Sequence, residues 1–130
     1  MATQYAKDRW QFGRPIGSFQ AIKHHCANML VDVEGMRSVV YWAAWCVDEH
    51  HPDASIAAST AKAWCAEAGP RVIDTGLQIH GGVGFTWDHV LHLYLKRANL
   101  DQMTFGSARF HRDRLAKLLR SRVQAHRSLS

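Results

Sequence analysis

The stretch GLQIHGGVGF, residues 76–85, joins an apolar helical pattern to three glycines in four residues. One glycine is enough to end a helix, because it adopts the left-handed conformation without a steric cost. The additional glycines allow a ligand or another chain to approach the main chain closely, although a plain glycine cap followed by a loop is the alternative. The dinucleotide-binding fingerprint GxGxxG follows a strand, whereas this segment follows a helix. The stretch therefore indicates a helical fold with a close approach at one helix end.

Apolar side chains recur at steps of three and four residues, which is the pattern of helices that bury one face. The predicted helices span residues 18–49, Ala54–His80, about Trp87–Asn99 and about Ser107–Val123. Ser18 is predicted to cap the first helix with its hydroxyl. A kink near Pro70, and not a helix end, is expected because the apolar stripe resumes in phase. No hairpin signal or alternating strand pattern is visible, and residues 124–130 are expected to fray.

The predicted architecture is one all-α domain over residues 1–130, an antiparallel, up-down-up-down four-helix bundle. The chain length and the 47% hydrophobic content fit one domain with a core. No apolar run approaches the ~20 residues that span a bilayer, and no apolar signal core is visible near the N-terminus. An odd number of cysteines without CxxC spacing predicts buried free thiols in a reducing compartment, which is cytoplasmic: Cys26, Cys46 and Cys65.

The net charge of +5 comes largely from basic residues near the C-terminus, namely Arg109, Arg112, Arg114, Lys117, Arg120, Arg122 and Arg127. A solvated helix face explains them, and so does attraction to an anionic ligand or to nucleic acid. No nucleic-acid motif accompanies the charge, so a nucleic-acid partner is not expected. Nine histidines raise the question of a metal, but the ExxH spacing of bundle metal sites is missing, and no metal site is expected. His80 is interpreted as a hydrogen-bonding residue.

A second break in the helical pattern is RWQFGRPIGSFQ, from Arg9 to Gln20. Gly13 and the residues that follow it predict a loop between two helical stretches. Arg9 and Arg14 flank Phe12, and an arginine beside an exposed aromatic ring suits a phosphate next to a flat ring system. The alternative is an interhelical turn whose Phe12 fills the core.

Two motifs together resemble the acyl-CoA dehydrogenase family. One is R-x-x-F-G-(R/K)-P-I-x-x-F-Q, which runs from Arg9 to Gln20, and the other is Q-x-x-G-G-x-G-(F/Y), which runs from Gln78 to Phe85. The resemblance is to the C-terminal all-α domain of the family and covers the chain from about Tyr5 to about residue 119. The family also has an N-terminal α-domain and a middle β-domain, and this sequence contains neither.

The resemblance implies an FAD-dependent oxidoreductase that desaturates an acyl-CoA thioester between its α and β carbons in fatty acid metabolism and lipid degradation. It implies a homo- or hetero-oligomer formed through this domain, an acyl-CoA substrate, and an electron-transfer flavoprotein as an electron acceptor. The residues that it implies for FAD contact are Arg9, Phe12, Gln20, Gln78, Gly81, Gly82 and Ser107. Arg9 would pair with the pyrophosphate and Phe12 would lie against the adenosine. Trp42 and Trp45 are interpreted as core residues or, in preference, as part of the subunit interface.

The sequence departs from the family at the catalytic base. Ungapped alignment from the double glycine places Phe105 at the position of the family's glutamate, followed by Gly106 and Ser107. A phenylalanine cannot take up a proton, so three sources of the base stay open. They are the helix upstream of R-x-x-F-G, a partner subunit, and Asp101, which is the weakest candidate. The catalytic residue is therefore unknown from the sequence.

Three functions follow from these observations. The first is the C-terminal domain of an acyl-CoA dehydrogenase, inactive as an isolated chain. The second is a non-catalytic helical subunit of a heteromeric acyl-CoA dehydrogenase that lacks the base. The third is a basic nucleic-acid-binding bundle, whose binding would have to weaken with salt because phosphate contacts release counterions.

Overall fold

The computed structural model describes residues 1–127, without the side chains of residues 125 and 126. Its helices are α1 (Ala2–Asp8), α2 (Gln20–Asp48), α3 (Ala54–His80), α4 (Leu91–Met103) and α5 (Ala108–Arg127). A two-stranded hairpin joins β1 (Trp10–Gln11) to β2 (Arg14–Pro15), and 3-10 turns span Ile16–Ser18 and Gly81–Phe85. The predicted all-α, four-helix architecture is confirmed, with the short α1 added in front of it.

The central element is α3, which packs against α2, α4 and α5. Its buried positions are mostly small: Ala57, Ser59, Ala61, Ala63, Ala66, Ala68, Gly76, Leu77, Ile79 and His80. Small side chains allow neighbouring helices to approach closely, and alanine also has the highest helix propensity. Among the described residues, the largest side chains that are fully buried are those of Cys46 and Ser59, which are themselves small. The core is therefore built from close backbone approach more than from large apolar side chains.

Polar side chains connect α3 to its neighbours on several sides. Arg71 on α3 forms a bidentate pair with Asp32 on α2, with both nitrogen–oxygen distances at 2.7 Å. Lys62 Nζ donates to the carbonyl of Asp101 on α4 at 2.6 Å. Three arginines of α5 reach α3 or the residue before it: Arg112 to Glu67, Arg114 to Ser59, and Arg122 to Asp53. The interpretation of the basic C-terminal residues as a solvated helix face is therefore incomplete. Three of these arginines contact α3 or the residue before it, and so join α5 to the rest of the fold.

The bonded pairs also define helix direction. Residues late in α4 and α5 contact residues early in α3, as in the pairs Lys62–Asp101 and Asp53–Arg122. Arg71–Asp32 gives the same antiparallel relation between α2 and α3. Both α4 and α5 therefore run antiparallel to α3 and follow one another along it, so the up-down-up-down alternation expected for the last two helices is not kept. The helix α3 is continuous through Pro70, as the phase of its apolar stripe predicts.

Two local predictions at the start of the first long helix are wrong. The Ser18 hydroxyl does not cap α2, because it lies in a 3-10 turn and donates to the Pro15 carbonyl at 2.7 Å. The loop expected after Arg9 contains a hairpin, whose two-residue turn has positive φ at Phe12 (55°) and Gly13 (77°). Such turns match the twist of paired strands. Strands of two residues are too short to show an alternating pattern, so the hairpin could not be predicted from the sequence.

Two helix boundaries also differ from the prediction. The third long helix begins at Leu91, four residues after Trp87, because Thr86 and His89 form a turn with backbone hydrogen bonds of their own. It ends at Met103, beyond the predicted Asn99. The C-terminal segment does not fray where expected, since α5 continues to Arg127. Residues 128–130 of that prediction lie outside the described residues.

Large apolar side chains are exposed along the outer face of α2. Tyr41 is 69% exposed, Trp45 53% and Trp42 38%, so the interpretation of the two tryptophans as core residues is wrong. Extended exposed apolar surface is uncommon on monomeric proteins and is typical of interfaces. The exposure supports an interface on α2.

The cysteines are free, as predicted, but only Cys46 is buried, while Cys26 and Cys65 are partly exposed. Burial raises the pKa of the Cys46 and Cys65 thiols, which disfavours their reactive thiolate forms. In the described part of the chain, no group of three potential metal ligands is found. No helix between residues 1 and 127 is long and apolar enough to cross a membrane.

The Asp32–Arg71 pair gives a testable pH dependence. The hydrogen bond from Arg71 lowers the pKa of Asp32 in the folded chain. This stabilisation is therefore present above the unfolded value of about 3.9 and is lost as the pH falls through the folded pKa. We expect Asp32→Asn to lower the free energy of unfolding by about 1 kcal/mol at neutral pH, measured by urea unfolding. The loss should disappear in acid.

The matched control is Glu34→Gln on the same helix, which removes an exposed pair with Arg37. It should cost only about 0.3 kcal/mol. Equal costs for the two variants at neutral pH, or a cost for Asp32→Asn that persists in acid, would contradict the assigned role of the pair.

Candidate cofactor-binding groove

A groove of about 640 Å³ lies between the hairpin, the start of α2 and the end of α3. Five of the seven residues predicted to contact a cofactor line it: Arg9, Phe12, Gln78, Gly81 and Gly82. Segments that are far apart in sequence thus meet at one surface, as the two motifs predicted. Gln20 is exposed beside the lining residues Phe19 and Ala21 but does not itself line the groove.

Ser107 does not line the groove either. It immediately precedes α5, where its Oγ accepts a hydrogen bond from the Phe110 amide at 3.3 Å. A side-chain oxygen in this position caps a helix by satisfying a free amide of the first turn. The described geometry therefore gives Ser107 a local structural role, and cofactor contact by this residue stays a prediction.

The three glycines of the loop have three different physical explanations. Gly81 has φ 60° and ψ −142°, a conformation that is open almost exclusively to glycine. A Cβ on Gly84 would lie 2.9 Å from the His80 Cβ, so packing within the chain excludes a side chain there. A Cβ on Gly82 would meet nothing within 4 Å, and its φ is not in the left-handed region. Nothing within the described chain explains the absence of a side chain at Gly82.

The backbone at Gly81 is used within the protein. Its N–H donates to the carbonyls of Gln78 and Leu77, which closes the end of α3. This amide is therefore not free to bind a ligand, and cofactor contact by the rest of Gly81 stays a prediction. What Gly81 and Gly82 offer to the groove is open space along the main chain.

The hairpin places aromatic and cationic groups at the mouth of the groove. Phe12 is 89% exposed at the tip of the turn, so the interpretation that it fills the core is wrong. Its ring meets the edge of Phe19 at a centroid distance of 6.1 Å, and the Arg14 guanidinium lies 4.0 Å from the Phe19 centroid. Among residues 1–127, no carboxylate pairs with Arg9. An unpaired arginine and exposed rings, without an acidic side chain in the lining, fit an anionic ligand that carries a flat ring system.

His80 and Tyr5 also line the groove, and no sequence pattern pointed to Tyr5. The two rings stack with a centroid distance of 4.4 Å. The His80 Nδ1 lies 2.7 Å from the Gly76 carbonyl, which confirms the interpretation of His80 as a hydrogen-bonding residue. Tyr5 reaches the groove only because α1 packs against α3, a contact that residue spacing alone does not predict.

The turn after α4 presents Phe105 to the outside. Phe105 has φ 59° and is 91% exposed, and its carbonyl lies 2.9 Å from His111 Nε2. A Cβ on Gly106 would come within 2.7 Å of Phe110 Cδ1, so this glycine is needed for packing. The hydrogen bond from His111 and the packing at Gly106 fix the conformation of this turn. The side chain that it presents to the outside, Phe105, has no acid–base chemistry.

Asp101 and Phe105 share the lining of a separate hollow of about 250 Å³. Both carboxylate oxygens of Asp101 lie 2.9 Å from the Nε of Arg97, one turn earlier on α4. The Asp101 side chain is 55% exposed. Exposure to solvent and a pair with Arg97 are an unfavourable setting for a general base, which must have its carboxylate free to reach the substrate proton.

Comparisons with known proteins agree with this geometry. The family model described as "Acyl-CoA dehydrogenase, C-terminal domain" matches residues 1–119. Acyl-CoA dehydrogenase IpdE2 of Mycobacterium tuberculosis is 43% identical over 99 residues, covering 76% of this chain and 29% of the relative.

Two solved structures are similar as well. One, described as a Tcur3481-Tcur3483 steroid ACAD G363A variant, has a TM-score of 0.88 at 32% identity, covering 95% of this chain and 34% of that one. The other, the ChsE4-ChsE5 complex from Mycobacterium tuberculosis, has a TM-score of 0.86 at 42% identity, covering 92% and 32%.

The chain belongs to the acyl-CoA dehydrogenase family and corresponds to its C-terminal all-α domain. It spans about a third of the length of the relatives that it matches. The family resemblance seen in the two sequence motifs is confirmed, and it implies a flavin cofactor.

The different explanations for the glycines can be tested by stability alone. Gly84→Ala should lower the free energy of unfolding by about 1–3 kcal/mol, because the new methyl group collides with the His80 Cβ. Gly82→Ala should change it by less than about 0.5 kcal/mol, since its methyl group enters open space. Urea unfolding monitored by circular dichroism measures both. A Gly82→Ala variant as unstable as Gly84→Ala would show that packing within the chain excludes both side chains.

Proposed function

We propose that this chain is the C-terminal domain of an FAD-dependent acyl-CoA dehydrogenase that desaturates an acyl-CoA thioester between its α and β carbons. In this proposal the domain forms one wall of an FAD site and part of a subunit interface. The observation that carries the proposal is Gly82, which leaves open space at the groove although nothing within the described chain excludes a side chain there. The exposed apolar face of α2 supports the interface.

Each lining residue has a role that its chemistry allows. Arg9 has no carboxylate partner in the described chain and would pair with the FAD pyrophosphate. Phe12 would lie against the adenosine, Gln78 would hydrogen-bond through its amide, and Gly82 would allow the dinucleotide to lie against the main chain. When bound, the flavin supplies a hydride acceptor, which no protein side chain supplies.

A second candidate function has its own observation. Phe105 occupies the outward position of a well-defined turn where the family carries its glutamate, so this chain would be a non-catalytic subunit of a heteromeric acyl-CoA dehydrogenase. The similarity to a structure described as the ChsE4-ChsE5 complex fits this arrangement. The base would then come from the partner subunit, while this chain contributes FAD contacts and the interface.

The remaining features of the proposal follow from the family. The substrate is an acyl-CoA, the pathway is fatty acid or lipid degradation, and the compartment is the cytoplasm. An electron-transfer flavoprotein would accept the electrons. The isolated chain is expected to be inactive, because most of an acyl-CoA site would be formed outside this domain.

The FAD site is tested in the protein that carries this domain, purified natively with the domains on one chain or two. We expect Arg9→Ala to weaken FAD retention at least about tenfold, because a charge-assisted hydrogen bond contributes about 1.5–3 kcal/mol. Gly82→Leu should also displace FAD by filling the groove. Flavin absorbance per protein during dilution measures retention.

The matched control is Arg37→Ala, which removes one positive charge from α2 at a residue paired only with Glu34. It should retain FAD like the unmodified protein. Equal FAD retention by the Arg9 and Arg37 variants, or a native preparation without flavin, would overturn the proposed site.

The source of the base is tested by turnover of the same preparation with acyl-CoA. Phe105→Ala and Asp101→Asn should each leave the rate within about twofold, since neither side chain is proposed to take up the proton. Loss of a true general base costs about 10²–10⁴-fold. A fall of that size in the Asp101 variant, with FAD still bound, would assign the base to Asp101 and overturn the non-catalytic alternative.

A further inference from the structure

We propose that His80 is a further cofactor-binding residue, whose Nε2 accepts a hydrogen bond from a sugar hydroxyl of the dinucleotide in the groove. The inference rests on the proposed FAD site and adds a residue that the two motifs did not assign. His80 is the last residue of α3, directly before Gly81, and it lines the groove while only 5% of its surface is exposed.

The tautomer of His80 follows from its one hydrogen bond. Nδ1 lies 2.7 Å from the Gly76 carbonyl, and a carbonyl oxygen can only accept, so Nδ1 carries the hydrogen. In the neutral ring, Nε2 is then an acceptor. A hydroxyl group can donate to it, whereas an ionised phosphate oxygen cannot. The hydroxyls of the ribose and ribityl parts of a dinucleotide are donors of this kind, whereas its pyrophosphate has none.

The His80 ring is also held in position. Tyr5 stacks on it at a centroid distance of 4.4 Å with an interplanar angle of 28°, and the His89 ring lies 5.0 Å away. Together with the bond to Gly76, these contacts leave the ring little rotational freedom. An acceptor that is fixed before a ligand arrives loses little entropy on binding.

Nε2 of His80 has no partner within residues 1–127. Among the described residues, Nδ1 of His111 is buried away from solvent and has no hydrogen-bond partner. Nε2 of His80 also lacks a partner, but it is not buried to the same degree and keeps some solvent-accessible surface. His80 itself lines the groove. This accessible acceptor can therefore take a hydrogen bond from a ligand hydroxyl.

Two substitutions separate the two ring nitrogens. In His80→Asn, the amide N–H can still donate to the Gly76 carbonyl, but nothing replaces Nε2. In His80→Gln, the longer side chain can place an oxygen near the former Nε2. In the native FAD-containing protein, we expect His80→Asn to weaken FAD retention about tenfold, which corresponds to about 1.4 kcal/mol. His80→Gln should recover most of the affinity.

The outcomes distinguish the inference from the proposed function. If Arg9→Ala loses FAD while His80→Asn retains it fully, the FAD site stands and the role of His80 is overturned. If both His80 variants lose FAD equally, the ring acts through packing and not through Nε2, which also overturns the inference. A native preparation without FAD removes the proposed function itself.

A measurement without any variant tests the same point. Nitrogen-15 spectra of the imidazole rings in the 130-residue chain should show that the neutral form of His80 carries its hydrogen on Nδ1. A neutral ring with its hydrogen on Nε2 would contradict an acceptor role.

Discussion

The close approach of three helices to the small-residue face of α3 is the constraint on which the rest of the structure depends. Most of the buried positions of α3 are alanine, serine or glycine, and α2, α4 and α5 all pack against them. Larger side chains at these positions would push the neighbouring helices away and break the polar contacts that join them to α3, such as Lys62 to Asp101. The arginines of α5 can reach α3 only while the two helices are packed closely.

Large apolar side chains lie on the outside of the helices around α3, where Tyr41, Trp45 and Phe110 are exposed. A family member that spans about a third of its relatives' length is expected to present such surface where other domains or subunits pack. The α2 face is therefore better explained by assembly than by the stability of the isolated domain.

The proposed cofactor site is a consequence of how α3 ends. Gly81 turns the chain out of the helix, Gly84 packs the following turn back against His80, and Gly82 is left facing open space. The hairpin then brings an unpaired Arg9 and an exposed Phe12 to the same groove. A positive charge, an aromatic ring and accessible main chain are the features that a dinucleotide requires. The ungapped alignment puts Phe105 where the family carries its glutamate, and the proposal therefore assigns cofactor contacts, and no proton transfer, to this domain.

The sequence by itself determined the helical class, the extent of α3 and the family, because apolar periodicity and glycine-rich motifs are local patterns. It also identified five of the residues that meet at the groove. Only the tertiary structure decided that Phe12 and Trp45 are exposed and that Tyr5 and His80 line the groove. It also showed that the side chain is missing for a different reason at each glycine of the loop. Periodicity shows which face of a helix is apolar, but it does not show what packs on that face. Burial, tautomer and free space depend on neighbours that are distant in sequence, and these exist only once the helices have packed.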